Sequence, residues 1–476
     1  MTNKSKSTDS NAIFAGCLDS FYDNSPTFFQ LLDKYVDIDE FISLPFHQAF
    51  YKTLGRKREY SLVGFISALI LQKIIPIPTD SLLLFFLTIC KDFRHFCGFN
   101  KVPDAPMITR FKQDLLDYIE KMFDDMVEYT EPICQEIDST LADILAFDTS
   151  GIELYVKENN PKTLNALIKN LKAHYKDKPE VDPYKMAYDL MPPQAASCPE
   201  AKQQYINGHF CYADKFAIIT NGLGVIRYIA FLDDDLKENH PEMTVKQKSD
   251  SPDDDKTIGD VTALEPILSD FFALHPSFSA DTFLGDSSFD TIETYGLLKN
   301  DFGFTRVLIP YNPRGERNLP KVGYNEFGYP TCPNDPYTDM TFLGLCHQEG
   351  RADRFKWGCP KMHMVKGQWV CKCLEPCSPA KKGRTTYTYE NMDFRIFPGV
   401  QRDSEEWISL YKIRTTVERT INHIKNVMGV SGKKSRNHAT TKADVYFAGI
   451  ASQFTAIVSH RIKLPEYVRS LKPLIA

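Results

Sequence analysis

The stretch ADILAFDTSGIELYV, residues 142–156, is where the chain changes character. An apolar run from Ile144 to Phe147 leads into Asp148, and the residues after it alternate, so the segment reads as a β-strand. Its carboxylate is out of place in a plain strand, because an ionised group in apolar surroundings is costly unless it is paired or bound to a metal. Asp148 alone is more often a strand-end residue than a functional one. The rest of the chain has to decide between the two.

Upstream, residues 12–135 repeat Phe and Leu at helical spacing, with a Pro-rich break at 75–79, Thr79 or Asp80 as N-cap of the next helix, and a further helix from near Pro106. Downstream, after a lysine-rich, Pro-containing segment at 157–205, two strand-like runs meet at Asn221-Gly222, a hairpin signal. A helix over VTALEPILSDFFALHP follows, then a short strand DTFLGDSSFD at 281–290, a helix TIETYGLLKN and a strand TRVLIPYN. A loop-rich stretch with short strands comes next, then two late helices. This order predicts an α/β protein: a mixed sheet flanked by helices, preceded by an all-helical N-terminal domain and interrupted by a cysteine-containing insertion. The boundaries read 1–140, 141–312, 313–395 and 396–476.

With 476 residues, 43% hydrophobic and 25% charged, the chain has material for more than one core. Its apolar runs at 62–71 and 81–90 are about half the ~20 residues a membrane span needs, and the polar start lacks the apolar block of a signal peptide. They predict buried helices, no membrane role and a cytoplasmic protein. A net charge of −6 excludes a protein coated in basic residues, so any nucleic-acid contact has to use local patches. One runs from Lys425 to Ala443, with Lys433, Lys434, Arg436 and Lys442 and no acid; much of the balancing acid lies in 233–260, read as a loop. Twelve cysteines point to free thiols or metal ligands in a reducing compartment. Six fall between 332 and 377. Cys346, Cys359, Cys371, Cys373 and Cys377 are candidate zinc ligands, four of the cysteines with His347 or His363 as a further candidate, although CxC is not a paired CxxC pattern; the alternative is a set of small buried residues.

The late helix supplies the partners Asp148 lacked. In YKIRTTVERTINHIKNVMGVSGKKSR (411–436), helical geometry sets Tyr411, Arg414, Glu418, Asn422 and Lys425 on one stripe, with Ile413, Val417, Ile424 and Val427 opposite. Asp286 closes a second strand. Two aspartates and a glutamate suit a hard ion such as Mg²⁺, which takes oxygen ligands and leaves positions open for substrate phosphates. Arg and Lys beside them suit a phosphate backbone.

With these residues in place the chain resembles bacterial insertion-sequence transposases of the DDE class, which have a ribonuclease-H-like catalytic core. The signature Tyr-x2-Arg-x3-Glu-x6-Lys is matched by Tyr411, Arg414, Glu418 and Lys425, the first-strand aspartate by Asp148 in FDTSG, and the second by Asp286 in GDSSFD, with Asp290 after it. The likeness extends over about residues 40–460, including a helical region at Tyr60–Leu115 that resembles the domain before such cores. Ile421 stands where relatives often have Phe, and a helix-turn-helix signature is missing. The resemblance implies cut-and-paste transposition. Asp148, Asp286 and Glu418 would hold Mg²⁺ (or Mn²⁺), Tyr411, Arg414 and Lys425 would orient double-stranded DNA at terminal inverted repeats and target, and the protein would act as a homodimer. The basic residues Lys433, Lys434 and Arg436 would hold the DNA backbone. A nuclease of the same fold without strand transfer, or a transposase-derived DNA-binding protein, are the alternatives.

Overall fold

The computed structural model describes residues 27–475 except 53–56, 207–208, 244–256, 313–322, 326–327, 349, 390–398, 403 and 433–434. The chain is mixed α/β. It divides into two compact units, one of Met1–Ala142, Thr149–Pro276 and Val417–Ala476, the other of Asp143–Asp148 and Ser277–Thr416.

In the first unit the described elements before Ala142 are helices, among them Leu62–Ile74, Asp80–Ile89, Ala105–Asp114 and Leu116–Ala142. Thr79 caps the second of these by accepting the Leu82 N–H at 3.1 Å, and Asp104 caps the third at Met107 N, 2.8 Å. Helices Leu62–Ile74, Ala105–Asp114 and Leu116–Ala142 pack around the C-terminal helix His438–Arg461, whose residues are buried nearly all round from Ala443 to Ser459. A helix apolar on every side is stable only as the centre of a bundle. Gly449 permits the close approach: a Cβ there would stand 2.8 Å from Phe123 and Ile229.

The strands of this unit are β2 (Gln194–Ala195), β3 (Cys198–Ile206), β4 (His209–Asn221) and β5 (Ile226–Phe231), with β2-β3-β4 antiparallel and β5 also paired to β4. The expected β4–β5 hairpin is present, but its turn is longer than Asn221-Gly222. Gly224 carries the positive φ of +81°, while the Gly222 N–H bonds to Leu141 O at 2.8 Å and a Cβ on it would meet that oxygen. Gly222 therefore serves a close approach rather than the turn itself.

Two further segments differ from the sequence reading. The lysine-rich segment 157–205, to which the sequence pattern assigns no element, forms helices Pro161–His174 and Pro183–Asp189 before β2 and β3. Asn160 and Asp182 cap them, each followed by proline at the first helical position, where its missing N–H costs nothing. The acidic loop at 233–260 opens with a short helix, Asp234–Asn239, capped by Asp233.

Asp233 has a second task. His438 lies between it and Asp214 of β4, Nε2 3.0 Å from Asp233 Oδ2 and Nδ1 3.0 Å from Asp214 Oδ1, while Lys442 Nζ is 2.6 Å from Asp233. Burial opposes the ring's charge, but the two carboxylates outweigh it and push His438 up to about 9. An unfolded histidine titrates near ~6.5. The stability this raised value contributes is thus fully present below about pH 6.5 and lost as pH rises through about 9. We expect the melting temperature to fall between about pH 7 and pH 9, and His438→Gln to flatten that fall; parallel melting curves would refute it.

In the second unit, the first half of β1 (Ile144–Glu153), β6 (Thr282–Leu284) and β7 (Arg306–Leu308) lie parallel in that order. Ile144 to Phe147 are buried, and burial relaxes from Asp148 to Ser150. The stretch read as loop-rich with short strands does hold short strands: β8 (Thr331–Cys332) with β9 (Asp335–Asp339), a sheet of β10 (Thr341–Gln348), β11 (Arg351–Gly358) and β14 (Thr385–Tyr389), and a hairpin of β12 (Met362–Val365) and β13 (Gln368–Cys371). Tyr329, Met340, Phe355 and Trp357 form its core.

No helix among the described residues is long and apolar enough to cross a membrane. The described cysteines are free thiols.

Candidate active site

β1 and β6 pair in the register Ile144↔Thr282, Leu145↔Phe283, Ala146↔Leu284. Extending it by two positions carries β1 to Asp148 and the chain after β6 to Asp286. The two aspartates thus follow matched positions of adjacent parallel strands, where the carboxyl ends of α/β sheets present their ligand sites. Asp286 begins the turn Ser287–Phe289 and accepts from Ser288 N at 2.8 Å and from the Ser288 hydroxyl. This cap explains why a carboxylate stands two residues past a three-residue strand.

The signature helix reaches both strands. Arg414 Nη2 is 3.6 Å from Asp148 Oδ2, and the Tyr411 hydroxyl donates to Gly285 O, next to Asp286, at 3.3 Å. Tyr411 ends the helix Glu405–Tyr411, and Arg414 ends a 3₁₀ turn, Lys412–Arg414. The continuous helix expected from 411 is thus interrupted. Helix Thr415–Asn422 resumes and passes into a π-turn, His423–Val427. Val417, Ile421 and Ile424 are buried, while Ile413 and Val427, expected on the same apolar side, are half-buried.

Glu418 and Lys425 belong to the first unit. Glu418 is exposed on Thr415–Asn422. Lys425 Nζ donates to Ser150 Oγ, two residues past Asp148 along β1, at 3.0 Å; burial holds its pKa below the usual lysine range. Arg436 lies over the Tyr155 ring, 5.1 Å from its centroid. Lys433 and Lys434 lie outside the described residues.

Among the described residues no group of three or more His, Cys, Asp or Glu could hold a metal ion. The five candidate zinc cysteines are each half-buried, so the small-buried-residue alternative does not describe them. One contact joins two of them, the Cys373 N–H to Cys371 Sγ at 3.4 Å.

Asp290 and a residue the sequence reading did not single out, Arg402, hold the Asp286 turn. Asp290 closes it, buried, with the Asn312 N–H donating to its Oδ2 at 2.8 Å and Arg402 Nη2 3.6 Å from its Oδ1. Asp290 carried a faint signal as the next acid after Asp286. Arg402, in GVQRDS, carried none.

Asp148, within β1, and Asp286, just after β6, thus lie beyond the paired stretch of two parallel strands of a mixed α/β chain, with the Arg414 guanidinium beside Asp148. Residues 17–114 match a family described as a transposase domain (DUF772), a likeness that covers about a fifth of the chain. That stretch runs to the end of helix Ala105–Asp114 and contains none of the three carboxylates. No curated protein and no solved structure matches the chain.

Proposed function

We propose that the chain is a DNA transposase that cuts a mobile element at its terminal inverted repeats and joins the ends to target DNA, on a ribonuclease-H-like core. The observation that carries this reading is the β1–β6 register with Asp148 and Asp286 just beyond it, and with Tyr411 and Arg414 of the signature held on the same two strands. The transposase-domain match at 17–114 supports it independently.

Asp148, Asp286 and Glu418 are the proposed ligands of Mg²⁺ or Mn²⁺. All three are carboxylates, the donor type a hard ion takes, but the described residues bring no three such groups together, so the proposal rests on one or two carboxylates completed by substrate phosphates, as Mg²⁺ is commonly held, rather than on an all-protein cage. When bound, such ions supply a Lewis acid that activates water and stabilises the leaving oxygen of a phosphodiester. The chain's own groups do the rest. Arg414 holds Asp148 in the free protein, and its planar fork can exchange that carboxylate for a phosphate. Tyr411 and Lys425 are proposed to orient the DNA ends, and Lys433, Lys434 and Arg436 to neutralise phosphates of the DNA backbone. Each active site acts on one of two paired ends, so the working form is a homodimer on double-stranded DNA in the cytoplasm.

The test is incubation of the purified chain with Mg²⁺, a duplex carrying the inverted repeats that flank its gene, and a target plasmid. Cleavage with strand-transfer products is expected. Cleavage without them indicates a nuclease, and binding alone a transposase-derived DNA-binding protein. Zinc on Cys346, Cys359, Cys371, Cys373 and Cys377 is proposed from their crowding in the sequence; its expected result is one zinc per chain retained through EDTA dialysis, and a zinc-free protein sinks it.

A further inference from the structure

We propose that Arg402 is a positioning residue that locks the Asp286 turn and the Tyr411 helix into one arrangement; this rests on the reading of Asp148 and Asp286 as the cleavage site. Arg402 is 3% exposed. Its guanidinium donates to Ile309 O beyond β7 and to the Tyr295 hydroxyl, its backbone N–H donates to the Tyr329 hydroxyl at 2.6 Å, and its Cζ lies 5.0 Å from the centroid of the Trp407 ring. Asp290 supplies the counter-charge.

These contacts close a circuit. Asp286 opens the turn that Asp290 ends, the Asp290 N–H bonding back to Ser287 O. Asp290 meets Arg402, and Arg402 covers Trp407. Trp407 stacks on Tyr411, with ring centroids 6.2 Å apart and planes 12° from parallel. The Tyr411 hydroxyl returns to Gly285, the neighbour of Asp286. One buried cation therefore sits between the acidic turn and the aromatic face of the signature helix. A lysine at 402 would keep the charge but lose the fork that serves Ile309 O and Tyr295 together, and the flat surface that stacks on Trp407.

A purely structural ion pair could be replaced with an effect on stability alone. A positioning residue acts through Tyr411, so its loss and the loss of the tyrosine hydroxyl should not multiply. The experiment is single-turnover cleavage, in Mg²⁺, of a duplex bearing the flanking inverted repeats, by wild type, Arg402→Lys, Tyr411→Phe, the double variant and Asp286→Asn. Misplacing a reacting geometry by ~1 Å costs about 10²-fold. We expect Arg402→Lys to cleave on the order of 10²-fold more slowly with DNA affinity unchanged, and the double variant to be no slower than Arg402→Lys alone. If Arg402→Lys does not fold, Tyr295→Phe, which removes one acceptor of the guanidinium, replaces it in the same cycle with a smaller loss in the same direction. Multiplying effects, or full cleavage by the arginine variant while Asp286→Asn is dead, overturn the inference and leave the site reading standing. Cleavage by Asp286→Asn at the wild-type rate removes the site reading and this inference together.

Discussion

Asp286→Asn is expected to lower Mg²⁺-dependent cleavage of inverted-repeat DNA on the order of 10²- to 10³-fold, the scale felt when one preorganised charge-stabilising group is removed. Asp286 is the more informative of the two strand aspartates to replace. Asp148 has the Arg414 guanidinium 3.6 Å away, so its neutralisation also releases an arginine, and lost activity would have two causes. Asp286 is bound by the Ser288 N–H and hydroxyl instead. Asparagine is a good N-cap and its side-chain oxygen can accept the same N–H, so the turn Ser287–Phe289 should persist. What the variant loses is the charge and one ionic oxygen donor. DNA affinity, set by Arg and Lys contacts to phosphates, should hold or rise slightly as a negative charge leaves. Gel-shift and cleavage assays on the same duplex separate the two quantities. Unchanged cleavage would remove Asp286 from the site, and lost binding with intact cleavage of pre-bound DNA would recast it as a docking residue.

The parts of the fold written in short-range pattern were legible. β1 announced itself by four apolar residues running into Asp148, the β4–β5 pair by two β-rich runs, and Asp80–Ile89 by Thr79 before an apolar run. The helix Pro161–His174 was equally encoded, by Asn160 and Pro161 at its start, but its lysine-rich surface hid the periodicity and left only Leu171 buried. Two kinds of information were absent from local pattern. Pairing across long separations could not be read: Arg402 meets Ile309, Tyr295 and Asp290 about a hundred residues upstream, and nothing in GVQRDS marks that arginine as buried. Departures from ideal helix geometry could not be read either, which is why the 3₁₀ turn at Lys412–Arg414 and the π-turn at His423–Val427 were smoothed into one helix. The aspartates were legible because a carboxylate after an apolar strand violates the pattern around it. Their pairing through the β1–β6 register was not.

Asp444→Ala should have the largest effect on stability, and the reason lies in two lysines. Lys73 and Lys112 have side chains wholly removed from solvent, on helices Leu62–Ile74 and Ala105–Asp114. Asp444 Oδ1, on the C-terminal helix, is 3.4 Å from Lys73 Nζ and 2.9 Å from Lys112 Nζ; Asp80 Oδ2 is 2.7 Å from Lys112, and Gln72 Nε2 donates to Asp80 Oδ1 at 2.9 Å. Two cations and two anions balance. Removing Asp444 leaves two buried ammonium groups with one carboxylate, and breaking such a buried pair costs about 3–5 kcal/mol. That is a large share of the ~5–15 kcal/mol by which a domain is stable. A pair of apolar residues of similar volume is often neutral, so Lys73→Met with Asp444→Leu, which leaves Lys112 balanced by Asp80, should recover most of the loss. Urea unfolding of wild type, the single variant and the double variant measures this. A single variant within about 1 kcal/mol of wild type would mean that water reaches the lysines and that the cluster does not hold the bundle. The same four residues bear on the transposase-domain match: Lys73, Asp80 and Lys112 lie inside 17–114, while Asp444 comes from the far end of the chain. The matched segment expressed alone would carry a buried lysine without its partner, and its core is completed only when helix His438–Arg461 is present.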